Sequence, residues 1–362
     1  MTVNEKLGNI NTTRQHQVEL YKKGVSIKLL ALFKKLEKDL NNALLSFPLN
    51  KWTLANKSFL LKELEVIRSE GISKINSVLL KDLKGLNKEE ATFYIDQLEN
   101  VLDDADIKGI DVNRPDTEEL WNKTRKGNII FDDGQFFTLT SFLNTFNDRN
   151  QLYLKQAVNK GYKQKLDVMA LSALLFGVGG LFLRSRGQID AWSATTLQYS
   201  SSFGRDLAYK ANANILNGYN WNSVLDSKTT DICRHNAGKY WLYGRGDLST
   251  LDYEQYPPLH FRCRSSTSAI VKSYEELGIA PDENVKSNLN GDIPATGSYN
   301  AWLVTQPTSI QKQALGPVRY GLWESGEVSI DSFYTMDGRT LSLKELQRAG
   351  VEFPSEFLQY VH

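Results

Sequence analysis

The sequence predicts a predominantly helical α+β protein. An N-terminal helical bundle is followed by a compact loop-rich module with short strands and then by a C-terminal helical extension. Three observations lead there. Leu29, Phe33, Leu36, Leu40 and Leu44 recur at helical spacing and fall on one face. From Tyr219 to about Val271 the chain becomes rich in Gly, Pro, Tyr and Trp, with short strand-like runs. Beyond Pro307, helix starts and stops return.

The elements follow in order. Pro48 ends the first helix, because proline disfavours helical backbone at the residue before it. A second helix is expected from about Asn56 to Leu83, carrying Leu60, Leu64, Ile67, Ile75 and Leu79 and interrupted at Gly71. A third is expected from about Lys88 to Leu102, with Asn87 as N-cap and Glu90 three residues on. Asp103 to Thr124 is polar, acidic and holds Pro115, which reads as a linker. Asp133-Gly134 between two β-rich runs signals a hairpin whose two central residues both take positive φ. Helices are expected over Thr140–Lys165 and Asp190–Leu216. Between them lies Val168–Leu183, the most apolar stretch. It is shorter than the roughly 20 residues of a bilayer span and broken by glycines. It reads as a buried helix ending at a glycine turn, with membrane activity as the alternative. Asp282–Ser298 reads as a polar excursion, and Ser342 with Glu345 as the capping box of a last helix. The regions expected are 1–105, 125–218, 219–280 and 298–362.

Composition excludes several classes. Among 362 residues, 43 Lys/Arg balance 42 Asp/Glu, giving a net charge of +1. That argues against a wholly cationic nucleic-acid binder. Charge is nonetheless blocked: residues 1–60 carry +6, 61–120 carry −7, 121–210 carry +6 and the rest −4. Two cysteines exclude a disulfide scaffold and a four-thiolate metal site. Residues 1–20 are polar, with no apolar run of the kind a secretory signal needs.

One cluster stands out. Both cysteines and two of the four histidines fall between Cys233 and Cys263. Three readings stay open. Cys233, His260 and Cys263 could ligate structural zinc, with His235 or Asp231 as the fourth ligand, since two thiolates and imidazole are zinc donors. The cysteines could form a disulfide or remain two neighbouring free thiols. Or the cluster is structural, with Asp226, Thr229 and Thr230 capping turns, Pro257-Pro258 fixing an extended approach and the cysteines buried beside His260. A catalytic cysteine–histidine pair lacks any accompanying oxyanion or elbow motif. Gly244-Arg245-Gly246-Asp247 reads as a turn, and no phosphate-binding loop is present.

The spacing Asp226-x-x-Thr229-Thr230-x-x-Cys233, with Gly238, then Pro257-Pro258-x-His260-x-x-Cys263-Arg264-Ser265, resembles the phage Mu F-protein-like family of head morphogenesis proteins. The likeness continues through Trp302, Leu303, Gln306-Pro307, Leu315-Gly316-Pro317, Arg319, Gly326, Ser329 and Asp337-Gly338-Arg339, covering roughly residues 190–347. The resemblance implies a minor head protein of a tailed phage, present in several copies per virion. Such a protein would sit inside the head at the portal vertex after assembly in the host cytoplasm. It would bind the portal protein and act in head assembly, DNA packaging or DNA ejection, with double-stranded DNA and the major capsid protein as further partners. It implies that Asp226, Cys233, His260 and Cys263 belong to a structural motif and not to an active site. Some family members carry a toxin or enzyme domain after the shared region. This chain reaches His362 soon after it, so no enzyme is expected. A DNA partner would be met by Lys22, Lys23, Lys28, Lys34, Lys35 and Lys38, through phosphates and without reading sequence. The alternatives are an ejection effector using Val168–Leu183 on a membrane, and a zinc-dependent enzyme built on Cys233, His260 and Cys263.

Overall fold

The computed structural model describes residues 3–361 apart from 106, 108, 274, 278–302, 305–306, 327 and 336–339. The expected excursion at 282–298, and Trp302, Gln306 and Asp337 to Arg339 of the C-terminal likeness, lie outside the described residues.

Two long helices frame the molecule: α1 (Val3–Leu45) and α2 (Leu54–Asp104). Leu29, Phe33, Leu36, Leu40 and Leu44 are all buried, as their spacing requires, and meet Leu60, Leu64, Ile75, Leu79 and Leu83 of α2. Thr53 caps α2 by accepting from the Asn56 amide. The helix then runs on without the expected breaks. Gly71 does not interrupt it; its missing side chain admits Leu36 of α1, whose Cδ1 would stand 2.5 Å from a Cβ there. Nor is Asn87 an N-cap. Its side chain is fully buried and donates to Ser200 O at 2.8 Å and Thr124 Oγ1 at 3.0 Å. The expected linker is also packed. Residues 109–116 form neither helix nor strand but are tied down, with Arg114 paired to Asp96 and Glu99 and Asn113 to Asn212. Then α3 (Thr117–Lys126) buries Leu120 and Trp121.

The hairpin forms from β1 (Asn128–Ile130) and β2 (Phe136–Thr138), antiparallel. Its turn differs from expectation: only Gly134 has positive φ, and Gly134 N donates to Phe131 O while Phe131 N donates to Gln135 O. This is a type I turn closed by a left-handed glycine, the three-residue hairpin form. Next come α4 (Leu139–Gln164), α5 (Val168–Phe176) and α6 (Leu181–Ala211). A turn at Gly177–Gly180 splits the apolar stretch between α5 and α6. Only Leu171 and Leu175 of α5 are buried, while Met169 is 67% and Val178 fully exposed.

The module is a three-stranded antiparallel sheet, ordered β4 (Tyr240–Leu242), β3 (Leu216–Asn222), β5 (Ser266–Val271). A short helix, α7 (Asp231–Asn236), lies between β3 and β4. Every residue of β5 is buried, since the strand lies against α1 as well as β3. The C-terminal segment builds a smaller core from Leu303, Leu315, Val318, Leu322, Ile330, Phe333 and Leu346, joined by Ala237 of the module. Its helices Thr308–Leu315 and Leu343–Arg348 start as expected, the second from the Ser342–Glu345 capping box.

Candidate functional site

The two halves of the motif come from opposite ends of the module and meet. The first half follows β3. Asp226 Oδ1 accepts from Lys228 N at 2.9 Å, and Thr229 Oγ1 donates to Val224 O at 2.7 Å, closing a tight turn. Thr230 stands at the N-cap of α7, yet its side chain does not cap the helix; its hydroxyl faces His260 Nε2 at 2.8 Å. Cys233 points from α7 into the core. Gly238, at φ +78°, lets the chain fold back so that its amide donates to Trp221 O at 3.0 Å and β4 can begin.

The second half is the turn before β5. Pro257 and Pro258 are joined by a cis peptide bond, which replaces the expected extended approach. Leu259 is buried behind them. Arg262 adopts left-handed backbone and its amide donates to Thr195 Oγ1 of α6 at 3.0 Å, tying the turn to the bundle. Arg264 then grips Asp226 with both terminal nitrogens at 2.7 Å. This fork holds the Asp226 carboxyl below its usual range.

Cys233, His260 and Cys263 converge between the halves. The Sγ atoms are 3.8 Å apart and unbonded, and Cys233 Sγ is 3.1 Å from His260 Nε2. Both cysteines are buried and His260 is partly so. Burial alone would raise the Cys263 thiol, but its interactions with Cys233 and His260 outweigh that and hold the thiol well below its usual range. Cys233 moves up, because it donates to Cys263 and is itself buried. The two thiols share one hydrogen bond and titrate as a pair.

Two residues linked to this cluster from sequence stand apart from it. His235 Nε2 meets Asp252 Oδ2 at 3.2 Å and Lys239 Nζ at 2.7 Å. Asp231 engages Arg234 and Thr340, the latter from the C-terminal segment. Neither is positioned to be a fourth ligand.

Lys22 also departs from expectation. It is 3% exposed and donates to Glu19 at 2.5 Å, Gln198 at 2.8 Å and Cys263 O at 3.2 Å. Burial lowers its pKa against the pull of Glu19. A lysine so enclosed cannot reach a phosphate; it braces the motif against α1. Lys28 pairs with Asp82 at 2.7 Å. Lys23, Lys34, Lys35 and Lys38 are exposed on the outer face of α1.

Sequence reasoning missed the polar frame around the cluster. Glu90, fully buried, accepts from Arg14 at 2.6 Å, Arg205 at 2.8 Å and Ser201 at 2.8 Å. Arg205 also donates to Thr267 O of β5 and stacks on Tyr94, whose hydroxyl donates to Asn11. Gln198 donates to Ser265 O at 2.8 Å. A signal existed in the dense serine and threonine run of α6, which side-chain spacing alone could not assign to partners. Beside the motif a cleft of about 610 Å³ opens between α1 and residues 222–225, bordered by Gln15, His16, Glu19 and Arg264. No known family, curated protein or solved structure matches the chain.

Proposed function

We propose that this protein is a non-enzymatic minor head protein of a tailed bacteriophage, bound to the portal protein at one vertex inside the capsid and acting in head assembly, genome packaging or DNA ejection. One observation carries the reading. The residues shared with the Mu F-protein-like pattern interlock with each other: Asp226 with Arg264, Thr230 with His260, Cys233 with Cys263. That is how a motif behaves when it holds a fold together. The cavity lined by Cys233 and His260, about 20 Å³, has room for about one water, and neither residue borders the larger cleft along α1.

The test is co-purification with the portal protein of the same genome, followed by native mass measurement. A defined stoichiometric complex is expected. Two folded proteins that pass through size exclusion separately would end the proposal. DNA contact is assigned to exposed Lys23, Lys34, Lys35 and Lys38, with affinity falling steeply as salt rises.

A second reading rests on Met169, Val178 and Leu183, apolar side chains exposed around the α5–α6 turn. Residues 168–211 are also long and apolar enough to cross a membrane, although a turn divides them. In this reading the turn disturbs a membrane during ejection. Dye release from anionic liposomes by the full chain, lost in Val178→Asp, would support it; no release from wild type would remove it.

A further inference from the structure

We propose that Cys233, His260 and Cys263 bind one zinc ion. Two thiolates and an imidazole form a donor set suited to zinc. The geometry agrees. Thiolates on tetrahedral zinc at about 2.3 Å stand about 3.8 Å apart, and the two Sγ atoms are separated by 3.8 Å. A disulfide would need about 2.05 Å. All three donor atoms lie within 4.8 Å of one another.

The surroundings favour a ligand role. His260 Nδ1 is 2.8 Å from the Phe261 carbonyl oxygen. A carbonyl only accepts, so Nδ1 carries the proton; in the neutral ring Nε2 then holds the lone pair, faced by Thr230 Oγ1 at 2.8 Å and Cys233 Sγ at 3.1 Å. Ligating histidines are commonly fixed this way through their other nitrogen. Ser265 Oγ donates to Cys233 Sγ at 3.1 Å, supporting a thiolate. The frame is braced on three sides, by Arg264 on Asp226, Arg262 N on Thr195 and Lys22 on Cys263 O. The 20 Å³ cavity beside Thr230, His260 and Ser265 would take a water as the fourth ligand. Two thiolates neutralise the ion, and because any thiol proton is released on binding, affinity rises with pH. The inference is independent of the head-protein reading, which a zinc-free chain would leave standing.

The experiment uses the full chain, reduced, stripped with chelator and titrated with cobalt(II) as a coloured substitute for zinc. Expected are saturation at one equivalent, a thiolate-to-cobalt charge-transfer band, the intense d–d bands of tetrahedral cobalt, and bleaching by one equivalent of zinc. His260→Gln should weaken zinc binding by more than the roughly 10–100-fold that follows loss of a supporting partner, and Ser265→Ala by about 10-fold. His235→Gln should leave affinity unchanged. Wild-type spectra carry the decision, so a variant that fails to fold does not blunt the test. Octahedral cobalt with both thiols titrating as reduced would overturn the proposal. So would a Cys233–Cys263 disulfide that reductant does not open, or an affinity loss in His235→Gln equal to that in His260→Gln.

Discussion

From Val25 to Leu44, α1 buries mainly valine, leucine and phenylalanine against the leucines of α2, with Ser26 and the Arg186-paired Glu37 as exceptions; from Asn4 to Lys22 the same helix buries, beside Leu7 and Val18, two asparagines, an arginine, a glutamine and a lysine. The partner helix divides at the same level. Up to Leu86 its buried positions are almost all aliphatic; from Asn87 it buries Asn87 and Glu90 as well. Apolar burial is non-directional and tolerates any neighbour of suitable shape. Polar burial tolerates only a partner in the right place, because a stranded charge costs more than the pair contributes. The leucine end therefore holds the bundle together, while the polar end dictates where α6 and the sheet dock on it.

The largest effect should come from breaking the polar end. Glu90→Ala leaves Arg205, fully buried, without its carboxylate and takes from Arg14 the inner of its two. A loss of about 3–5 kcal/mol is expected in denaturant unfolding. Leu79→Ala at the apolar end should cost about 2–5 kcal/mol, so deletion alone does not separate the ends. Gentle swaps do. Leu79→Met should cost under about 1.5 kcal/mol. Glu90→Gln keeps the shape but not the charge and should retain most of the Glu90→Ala loss. Equal, small costs for the two swaps would dissolve the contrast between the ends.

The next effect has the opposite sign. Asp206 of α6 is buried, and burial outweighs the pull of Lys210 to lift its carboxyl from 3.8 to about 6. Its folded pKa is raised, so the folded state binds the extra proton between about pH 4 and 6. The stability it supplies is present below 3.8 and lost as pH rises through 6. Asp206→Asn should flatten that window and raise stability at pH 7 by up to about 3 kcal/mol. Asp226, held low by Arg264, slopes the other way: its contribution is present above 3.8 and lost as pH falls through its folded pKa. Unfolding midpoints of the single variants across pH 3–7 would show both slopes, and a parallel pair of curves would contradict the assignment.

This division also explains what was legible in the sequence. Leu29 to Leu44, the Ser342–Glu345 box and the hairpin at Asp133-Gly134, though not its turn type, are readable because each signal lies within a few residues of its consequence. The closeness of Cys233, His260 and Cys263 was readable as a cluster, although not as a geometry. The first half of α1 was not readable. Its buried Asn11, Arg14, Gln15 and Lys22 show no apolar period, and their partners Ser266, Glu90 and Gln198 are distant in sequence. Lys22 reads as a phosphate contact for the same reason: nothing adjacent in sequence announces Gln198 or the Cys263 carbonyl.

Two glycines extend the comparison at smaller scale. A Cβ at Gly204, in α6, would stand 2.7 Å from the Asn87 backbone oxygen, which cannot move without the helix. At Gly71 the obstacle is the Leu36 side chain and not backbone, with Cδ1, Cδ2 and Cγ at 2.5, 2.9 and 3.0 Å. Gly204→Ala should therefore cost about 1–3 kcal/mol, and Gly71→Ala clearly less, since alanine regains about 1 kcal/mol of helix propensity there. Thermal midpoints measured side by side would rank them; the reverse order would mean that the apolar end is the less forgiving of the two.

The smallest expected effect tests whether the two ends belong to one rod. Gly85 lies in α2 just before Asn87, where the local sequence suggests that one helix stops and another starts. It is exposed, and a Cβ there would meet nothing within 4 Å. If the helix runs straight through, Gly85→Ala relieves the entropy glycine loses on folding and stabilises the protein by about 0.5–1 kcal/mol. If the chain instead breaks at this point in solution, alanine opposes the break and stability falls. A gain in denaturant midpoint would join the leucine end to the polar end as one continuous helix. A loss would make the junction a hinge, and the buried Asn87 bonds to Ser200 and Thr124 would then be what holds the hinge closed.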